Sequence, residues 1–303
     1  MPRRQRKHLV MVIHGSRAER EDVRHLIEWV RGKGHYLEPR VTLETGDATS
    51  MAAAAAHAGA DVVVAVGGDG IVNEVINGLD GYDTPLGIIP VGTANDFAMQ
   101  AGIPADVDHA MDVILRRKPM RIDTASLNGR RFLNVSTGGV GAEATAETPA
   151  DAKESLGSMA YAITGVRKLA DFAPYRGSFR GPDFAFDGEF LMFAVGIGRA
   201  TGGGTLVTPR ASVTDGLIDL CIVEAMSRGD FARMVLKVKR GDHLGEPTVH
   251  YLQLPWVTID ADQSISVNVD GESADAEHLH YRARKADLWV HVDHLPGEGA
   301  PDD

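Results

Sequence analysis

Two glycine-rich stretches of this sequence carry residue types that could hold phosphate. Residues 61–79 read DVVVAVGGDGIVNEVINGL, in which a β-branched run leads into Gly-Gly-Asp-Gly and then into apolar residues at helical spacing. Residues 85–98, PLGIIPVGTANDFA, again end a hydrophobic strand in glycine and begin a helix. Backbone without Cβ atoms can approach an anion closely, and a helix N-terminus offers it unpaired N–H groups. Either stretch alone is compatible with a tight turn that binds nothing, but the pair favours nucleotide binding.

The first stretch also contains an acid, Asp69, and lacks the signatures of two common nucleotide-binding classes. A carboxylate beside a bound anion needs an explanation of its own. The dinucleotide fingerprint G-x-G-x-x-G with its distal acid is absent, and so is the Walker pattern ending in Gly-Lys-Ser/Thr. The sequence therefore disfavours a Rossmann dehydrogenase and a P-loop NTPase.

Acidic residues also stand in two Asp-Gly turns further along the chain. One is SVTDGLIDL around Asp215, and the other is NVDGESAD with Asp270 and Glu272. Asp-Gly between alternating strands is a common hairpin turn that needs no function. The glycine-rich loop GIGRATGGGTLVTPRASVTDG, residues 196–216, favours a function for the first turn, because long loops in a compact domain are usually functional. The residues alone leave both interpretations open.

The first part of the chain alternates hydrophobic strands with helices. This pattern predicts βαβ units and a parallel, doubly wound sheet. The carboxyl ends of such strands open on one edge, where ligands bind in open α/β sheets. The predicted strands are 9–14, 40–44, 61–66 and 85–91, and the predicted helices are 19–33, 47–58, 71–79, 94–101 and 106–117.

From residue 121 the pattern changes to short alternating strands joined by glycine-containing turns, such as Asn128-Gly129 and Asp187-Gly188. We expect a mostly antiparallel β sandwich or barrel, interrupted by helices near 155–172 and 228–240. The predicted organisation is an α/β nucleotide-binding domain at 1–120, a β-rich domain at 121–290 and a tail at 291–303. A ligand is expected in the cleft between the two domains. The predicted strands are 121–127, 130–136, 177–181, 183–188, 189–197, 217–223, 250–261, 264–271 and 278–292.

Composition narrows the class of protein. The 303 residues have a formal net charge of -11, which speaks against a nucleic-acid partner. The one basic segment, RRQRKH at residues 3–8, is a candidate for contact with lipid headgroups. Cys221 is the only cysteine, which excludes an intramolecular disulfide and favours a cytoplasmic protein, and its apolar setting predicts a buried, inert thiol. No apolar run reaches the length of a membrane span and no signal peptide is recognisable, so we expect a cytoplasmic or peripheral protein.

The two glycine-rich stretches, taken together with later motifs, resemble a known family. Their order and spacing are similar to those of the catalytic domain of diacylglycerol kinases. TGGVGAEATAETP, GSMAYAITG and the segment from GRATGGG to TDGL resemble the bacterial YegS-like lipid kinases in particular. The resemblance covers residues 9–290. It implies an ATP-dependent lipid kinase with a phosphofructokinase- or NAD-kinase-like first domain, a β-rich second domain and an active site between them.

The resemblance also implies roles for individual residues. Glu272 would be the catalytic base, accepting the proton of a lipid hydroxyl. Asp69 would bind the Mg²⁺ carried by ATP, which explains an acid in a phosphate turn. A second metal site, for Mg²⁺ or alternatively Ca²⁺, would use Asp215 and the backbone carbonyls of Ser212 and Leu217. The residues that would contact ATP are Thr42, Gly68, Asp69, Gly70, Ile71, Val72, Asn73, Glu74 and Thr93.

Two positions depart from the family pattern, and two alternative functions stay open. Ile71 stands where the family usually has Thr, which removes a hydroxyl donor and predicts weaker ATP binding with activity retained. The first loop, IHGSR, lacks the Asn that usually follows the first strand. An NAD kinase shares Gly-Gly-Asp-Gly, but GTANDFA follows the lipid-kinase pattern. The other alternative is a nucleotide-binding regulator without catalytic activity. The retention of Asp69, Asp215 and Glu272 argues against it. The lipid acceptor, phosphatidylglycerol or a diacylglycerol-like molecule, and the oligomeric state are not encoded in any motif.

Overall fold

The protein was analysed as a computed structural model, which describes residues 6–140, residue 142 and residues 173–293. The chain divides into two compact units. One comprises Met1–Thr124 with Lys285–Asp303, and the other comprises Ala125–Arg284. The motif GSMAYAITG, most of TGGVGAEATAETP, the helix predicted near 155–172 and most of the predicted tail lie outside the described residues. No helix among those described has the length and hydrophobicity needed to cross a bilayer.

The first unit is an α/β structure. Its strands β1, β2 and β3 pair in parallel, as do β3 and β4, in the spatial order β4-β3-β1-β2. The end of a later strand, β13 (Glu272–Val290), adds to β4 through Val290 and Leu86. The strands are β1 His8–Ile13, β2 Tyr36–Val41, β3 Val62–Gly67, β4 Leu86–Pro90 and the first part of β5 Met120–Leu127. The helices are α1 Glu21–Gly32, α2 Asp47–His57, α3 Asp69–Gly78, α4 Asp96–Gln100 and α5 Val107–Arg116, with a short 3-10 helix at Gly15–Arg17.

Hydrophobic patterning explains most of these elements. Every residue of β3 and β4 is buried, as expected for strands covered on both faces. Helix α1 buries Val23, Leu26 and Val30, which recur at helical spacing. The strand predicted at 40–44 was misplaced, because β2 ends at Val41 in full register with β1, from His8 opposite Tyr36 to Ile13 opposite Val41.

The second unit is β-rich and mostly antiparallel. Its strands follow the order β11-β10-β9-β7-β12-β13, and β8 pairs with both β9 and β12. Aromatic rings fill its core, with Phe193 in edge contact with Phe179, Phe190 and Tyr281. The elements are β6 Arg130–Phe132, β7 Val135–Gly139, β8 Tyr175–Gly181, β9 Phe184–Gly196, β10 Ile218–Glu224, α6 Arg228–Arg240, β11 Val249–Leu254, β12 Trp256–Val269 and β13 Glu272–Val290.

The predicted turns had different outcomes. Asn128 and Gly129 have φ of 49° and 91°, the pair of positive values that a type I′ hairpin turn requires, so this prediction is confirmed. The turn predicted at Asp187-Gly188 was wrong, because both residues lie inside β9, opposite Ser178 and Gly177 of β8. The chain reverses instead at 182–183, where Asp183 adopts a positive φ of 55°. Cys221 is buried in β10 as predicted, and burial raises the pKa of its thiol to about 12.

Buried His291 gives the first unit a pH-dependent stability. Burial, and then the nearby charge of Lys7, lowers the pKa of His291 to about 4. An unfolded chain protonates this imidazole near about 6.5, so between these values only the unfolded state carries the proton. Stability is therefore expected to fall as the pH falls through this window. His291→Gln should remove up to about 3 kcal/mol of that loss, measured by urea unfolding across the window.

The matched control is His25→Gln, at an exposed position of α1. Burial of Asp219 in the second unit raises the pKa of its carboxyl to about 6, which makes stability rise as the pH falls toward the ordinary Asp value. That opposing contribution is common to both variants and cancels in the comparison. Equal pH slopes for the His291 and His25 variants would refute the assignment.

Candidate functional site

The carboxyl ends of the parallel strands lie at one edge of the first sheet, and β1 and β2 are tied together there. The backbone N–H of Gly15, just after β1, donates to the Oγ1 of Thr42 at 3.2 Å. A Cβ on Gly15 would lie 2.6 Å from the Thr42 carbonyl oxygen, so only glycine fits this approach. Thr42 is buried and its own N–H donates to the carbonyl of Ile13. The hydroxyl of this predicted ATP contact is thus engaged in joining two strand ends.

The two glycine-rich turns meet through their backbones. A Cβ on Gly92 would lie 2.3 Å from the Cα of Gly68 and 2.9 Å from its nitrogen, so a side chain at position 92 would collide with the first turn. Asn95 holds the second turn in shape, because its Oδ1 accepts from the N–H of Gly92 and its Nδ2 donates to the Gly92 carbonyl. Asn95 itself adopts a left-handed φ of 52°, which Asn tolerates better than most residues. The sequence thus brings two phosphate-type turns into direct contact.

Asp69 lies where these turns meet. It is the first residue of α3, and its Oδ1 accepts a long hydrogen bond of 3.4 Å from the N–H of Phe97 in the first turn of α4. The carboxylate of the first motif therefore reaches the helix of the second. Gly70, which follows Asp69, and Thr93 of the second turn are exposed, so this part of the edge is open to a ligand.

The remaining residues of the first motif are buried or hydrogen-bonded to neighbouring elements. Ile71 is buried, and its Cγ2 occupies the place that a Cβ on Gly67 would take, at 2.5 Å. Val72 and Asn73 are buried as well. Glu74 accepts from the N–H groups of Gly46 and Ala48 at 3.0 and 3.1 Å and so holds the start of α2. In this geometry the side chains of Ile71 and Glu74 pack and cap neighbouring elements, and their predicted ATP contact stays a prediction.

In the second unit, Glu272 begins β13 directly after a tight turn. Asp270 and Gly271 have φ of 48° and 96°, and Val269 pairs with Glu272, so the two-residue Asp-Gly hairpin is present. The side chain of Glu272 is half-buried, and its Oε2 accepts from the Nη2 of Arg130 at 2.5 Å. No described residue hydrogen-bonds its Oε1. The arrangement fixes Oε2 of the carboxylate, and the predicted role of Glu272 as a base stays a prediction.

The turn before Glu272 does more than reverse the chain. Asp270 is buried, and its two carboxylate oxygens accept from the N–H groups of Leu133 and Asn134 at 2.8 and 3.0 Å. The carbonyl of Asn134 in turn accepts from the N–H groups of Ile197 and Gly198, which open the glycine-rich loop. The short connection between β6 and β7 therefore joins the Glu272 turn to the start of the loop that carries Asp215.

The glycine-rich loop folds back on itself. The Oγ1 of Thr208 donates to the Gly198 carbonyl at 2.7 Å, and the Nε of Arg199 donates to the carbonyl of Ala211 at 3.0 Å. These contacts bring residue 211, next to Ser212, close to the loop entrance. Further on, the Oδ1 of Asp215 accepts from the N–H of Leu217 at 3.0 Å.

The Asp215 turn offers oxygen donors of the kind that a hard cation prefers. Carboxylate and carbonyl oxygens suit Mg²⁺ and Ca²⁺, and Asp215, Ser212 and Leu217 are gathered on one short segment. Among the described residues, no group of three or more His, Cys, Asp or Glu side chains is arranged to hold a metal. A site here would therefore rest on one carboxylate with backbone oxygens, and metal binding by Asp215, Ser212 and Leu217 stays a prediction.

Sequence reasoning missed the residues that support these turns. Asp270 was identified only as a turn residue, although its carboxylate binds backbone amides from a segment more than 130 positions earlier. Asn95 and Thr208 were not singled out, and both act through hydrogen bonds within loops. Asn within a Gly-Thr-Ala-Asn turn is the one local signal that could have been used, because Asn favours left-handed backbone.

The contact between Gly68 and Gly92 leads to a test by substitution. Gly92→Ala is expected to destabilise the protein by about 1–3 kcal/mol, because the added methyl group must displace the backbone of the first turn. Gly70→Ala is the matched control, since nothing lies within 4 Å of a Cβ there and Ala favours the helix. Chemical denaturation measures both variants. Equal stability of the Gly92 and Gly70 variants would show that the two turns are not in contact.

Comparison with known proteins identifies the family. The profile of the diacylglycerol kinase catalytic domain matches residues 8–127, and that of the YegS C-terminal NAD kinase beta sandwich-like domain matches residues 135–290.

Proteins named "Probable lipid kinase YegS-like" are similar along most of the chain. The one from Pseudomonas putida is 38% identical over 285 residues, covering 93% of this chain and 94% of its own length. The one from Pseudomonas aeruginosa strain UCBPP-PA14 is 37% identical over 286 residues, covering 94% of each. A crystal structure of a diacylglycerol kinase from Bacillus anthracis shares the fold with a TM-score of 0.77 at 23% identity, over 94% of this chain and 97% of that one. The chain belongs to the YegS-like lipid kinase family, with an α/β diacylglycerol kinase catalytic domain followed by a β-sandwich domain.

Proposed function

We propose that this protein is an ATP-dependent kinase that phosphorylates a hydroxyl group of a membrane lipid, of the phosphatidylglycerol or diacylglycerol type. The observation that carries this proposal is the backbone contact between Gly68 and Gly92, with Asp69 at the same place. Two glycine-rich turns in contact form a surface that a polyphosphate can approach closely. Membership of a lipid kinase family supports the choice of nucleotide and acceptor.

The first unit would bind the nucleotide. Gly68, Gly70 and Thr93 would contact the phosphates through backbone N–H groups, which requires no side-chain hydroxyl at Ile71. Asp69 would hold the divalent cation that accompanies ATP. When bound, that cation neutralises charge on the phosphates during transfer. This account gives the acid of the first motif a function and leaves Ile71 to pack against Gly67.

The second unit would supply the base. In the reaction, the lipid hydroxyl oxygen bonds to the γ-phosphorus, the bond from that phosphorus to the bridging oxygen breaks, and ADP leaves. The hydroxyl proton goes to Glu272. Arg130 fixes Oε2 of this residue, which favours Oε1 as the atom that takes the proton. The Asp215 turn, with Ser212 and Leu217, would hold a second Mg²⁺ or Ca²⁺ ion on the loop tied to the same scaffold.

Phosphoryl transfer from ATP to a lipid is the direct test. Labelled ATP is incubated with diacylglycerol, phosphatidylglycerol, sphingosine or NAD, and the products are separated by thin-layer chromatography. A labelled lipid supports the proposal, labelled NADP supports an NAD kinase, and ATP binding without any product supports a silent regulator. Asp69→Asn should abolish transfer without unfolding the protein, because the amide oxygen can still accept from Phe97. Turnover at the wild-type rate in this variant would refute the role of Asp69.

The role of Glu272 can be separated from that of its turn. Glu272→Gln should lower kcat by about 10²–10⁴-fold with the KM for ATP nearly unchanged, because an amide cannot take the hydroxyl proton. The stability of the protein should change little, since a partly exposed ion pair such as the one with Arg130 contributes at most about 1 kcal/mol. Glu277→Gln, at an exposed position of the same strand, is the matched control. A Glu272→Gln enzyme with more than about a tenth of wild-type turnover contradicts the assignment.

A further inference from the structure

Helix α6 is strongly basic in an acidic protein. Between Arg228 and Arg240 it carries five Lys or Arg residues and one acid, a net charge of +4 in a chain of net charge -11. Its last turn contains Lys237, Lys239 and Arg240. Such a concentration of positive charge on one surface helix favours an anionic partner.

An exposed leucine stands within this charge. Leu236 is 56% exposed, although α6 turns Phe231, Met234 and Val238 into the core. At helical spacing its neighbours are Arg233 three residues before it, and Lys239 and Arg240 three and four residues after it. All three are exposed. We call Arg233, Leu236, Lys239 and Arg240 the α6 face.

The charges of the α6 face are available to a partner. Arg233 pairs with Asp230 on the same helix, but both side chains are well exposed and such pairs contribute little. Lys237 pairs with Glu246 beside the helix and is therefore left out of the face. An apolar side chain within a ring of basic ones is the pattern of helices that lie on anionic bilayers.

The end of α6 is joined to the loop that carries Asp215. Gly241, in the left-handed conformation that ends the helix, packs close to Leu206 and Pro209, which a Cβ there would contact at 3.4 Å. Two residues later, the Nε2 of buried His243 donates to the carbonyl of Val207 at 3.1 Å. A bilayer bound at the α6 face would therefore meet the protein next to the glycine-rich loop.

The other candidate surfaces are less suited to this role. Lys7 of the basic N-terminal segment is partly buried, and its Nζ donates a hydrogen bond to the carbonyl of Ile114. Its ammonium group therefore interacts within the first unit. Leu43 is the most exposed large apolar side chain described, but the acids Glu44 and Asp47 lie beside it, and Asp47 accepts from the Leu43 N–H. An anionic surface would be repelled there.

We propose that the α6 face docks the protein on anionic phospholipid headgroups, with Leu236 inserting at the interface and the basic side chains binding the phosphates. The proposal rests on the lipid kinase function proposed above, since it states how a lipid acceptor is reached. The membrane contact predicted at residues 3–8 stays the alternative, and the variants below compare the two.

Three charge-matched double variants test this assignment. Lys239→Gln with Arg240→Gln removes two charges from the α6 face, Arg3→Gln with Arg4→Gln removes two from the N-terminal segment, and Arg24→Gln with Lys118→Gln removes two from exposed positions elsewhere. Co-sedimentation is measured with phosphatidylcholine vesicles that contain or lack phosphatidylserine, in the absence of ATP. Only the α6 variant should lose binding, by about 25-fold at low salt, because each basic residue near an anionic surface contributes roughly fivefold.

Wild-type binding should require phosphatidylserine and weaken as salt is added. The proposal is overturned if the α6 variant binds like the control at Arg24 and Lys118, or if the N-terminal variant loses as much. Leu236→Ser, which keeps every charge, should also weaken binding. Because it leaves the end of the helix unchanged, it is a check that the loss in the Lys239 and Arg240 variant does not come from a folding defect there. Activity toward a short-chain, water-soluble diacylglycerol keeps the two proposals distinct. The α6 variant should retain this activity. If the wild-type protein lacks the activity, that result counts against the kinase function and not against docking.

Discussion

The close approach of Gly68 and Gly92 is the constraint on which the candidate site depends. Two βα turns, at the ends of neighbouring strands β3 and β4, come so near that a side chain on Gly92 would overlap the other backbone. Hydrogen bonds from Asn95 shape one turn, and Asp69 of the other reaches the N–H of Phe97. The result is one continuous run of backbone at the edge of the sheet. In the proposed nucleotide site, the N–H groups of this run would bind the phosphates.

The second unit holds two irregular segments in fixed positions, the turn before Glu272 and the glycine-rich loop. Asp270 binds the backbone of Leu133 and Asn134, and Asn134 binds the entrance of the glycine-rich loop. Buried Asp219 accepts a hydrogen bond from Tyr251, whose oxygen accepts from the N–H of Arg210 in the same loop. Buried hydrogen bonds to carboxylates are costly to break, so these contacts can stabilise a long loop that has little regular structure of its own.

Local sequence signals were sufficient where the structure depends on nearby residues. The fully apolar runs of β3 and β4, the glycines at their ends and the Asn128-Gly129 turn all predicted what was found. The Asp187-Gly188 turn failed because the hairpin between β8 and β9 reverses at 182–183 instead, which leaves both residues paired within the sheet, and this strand pairing overrides a turn signal. The carboxylate contacts of Asp270 could not be predicted, because they join segments more than 130 positions apart in the sequence. Leu236 of α6 looks like a core residue in the sequence, and only the packing of the helix shows that it faces solvent.

The central claim is that the two glycine-rich turns together form the phosphate site of a nucleotide. A crystal structure with Mg²⁺ and a non-hydrolysable ATP analogue tests it most directly. The account predicts that the phosphates lie against the backbone N–H groups of residues 68–70, 93 and 94, with the cation bound to the Asp69 carboxylate. A nucleotide bound elsewhere, with these amides in contact only with water, would contradict it.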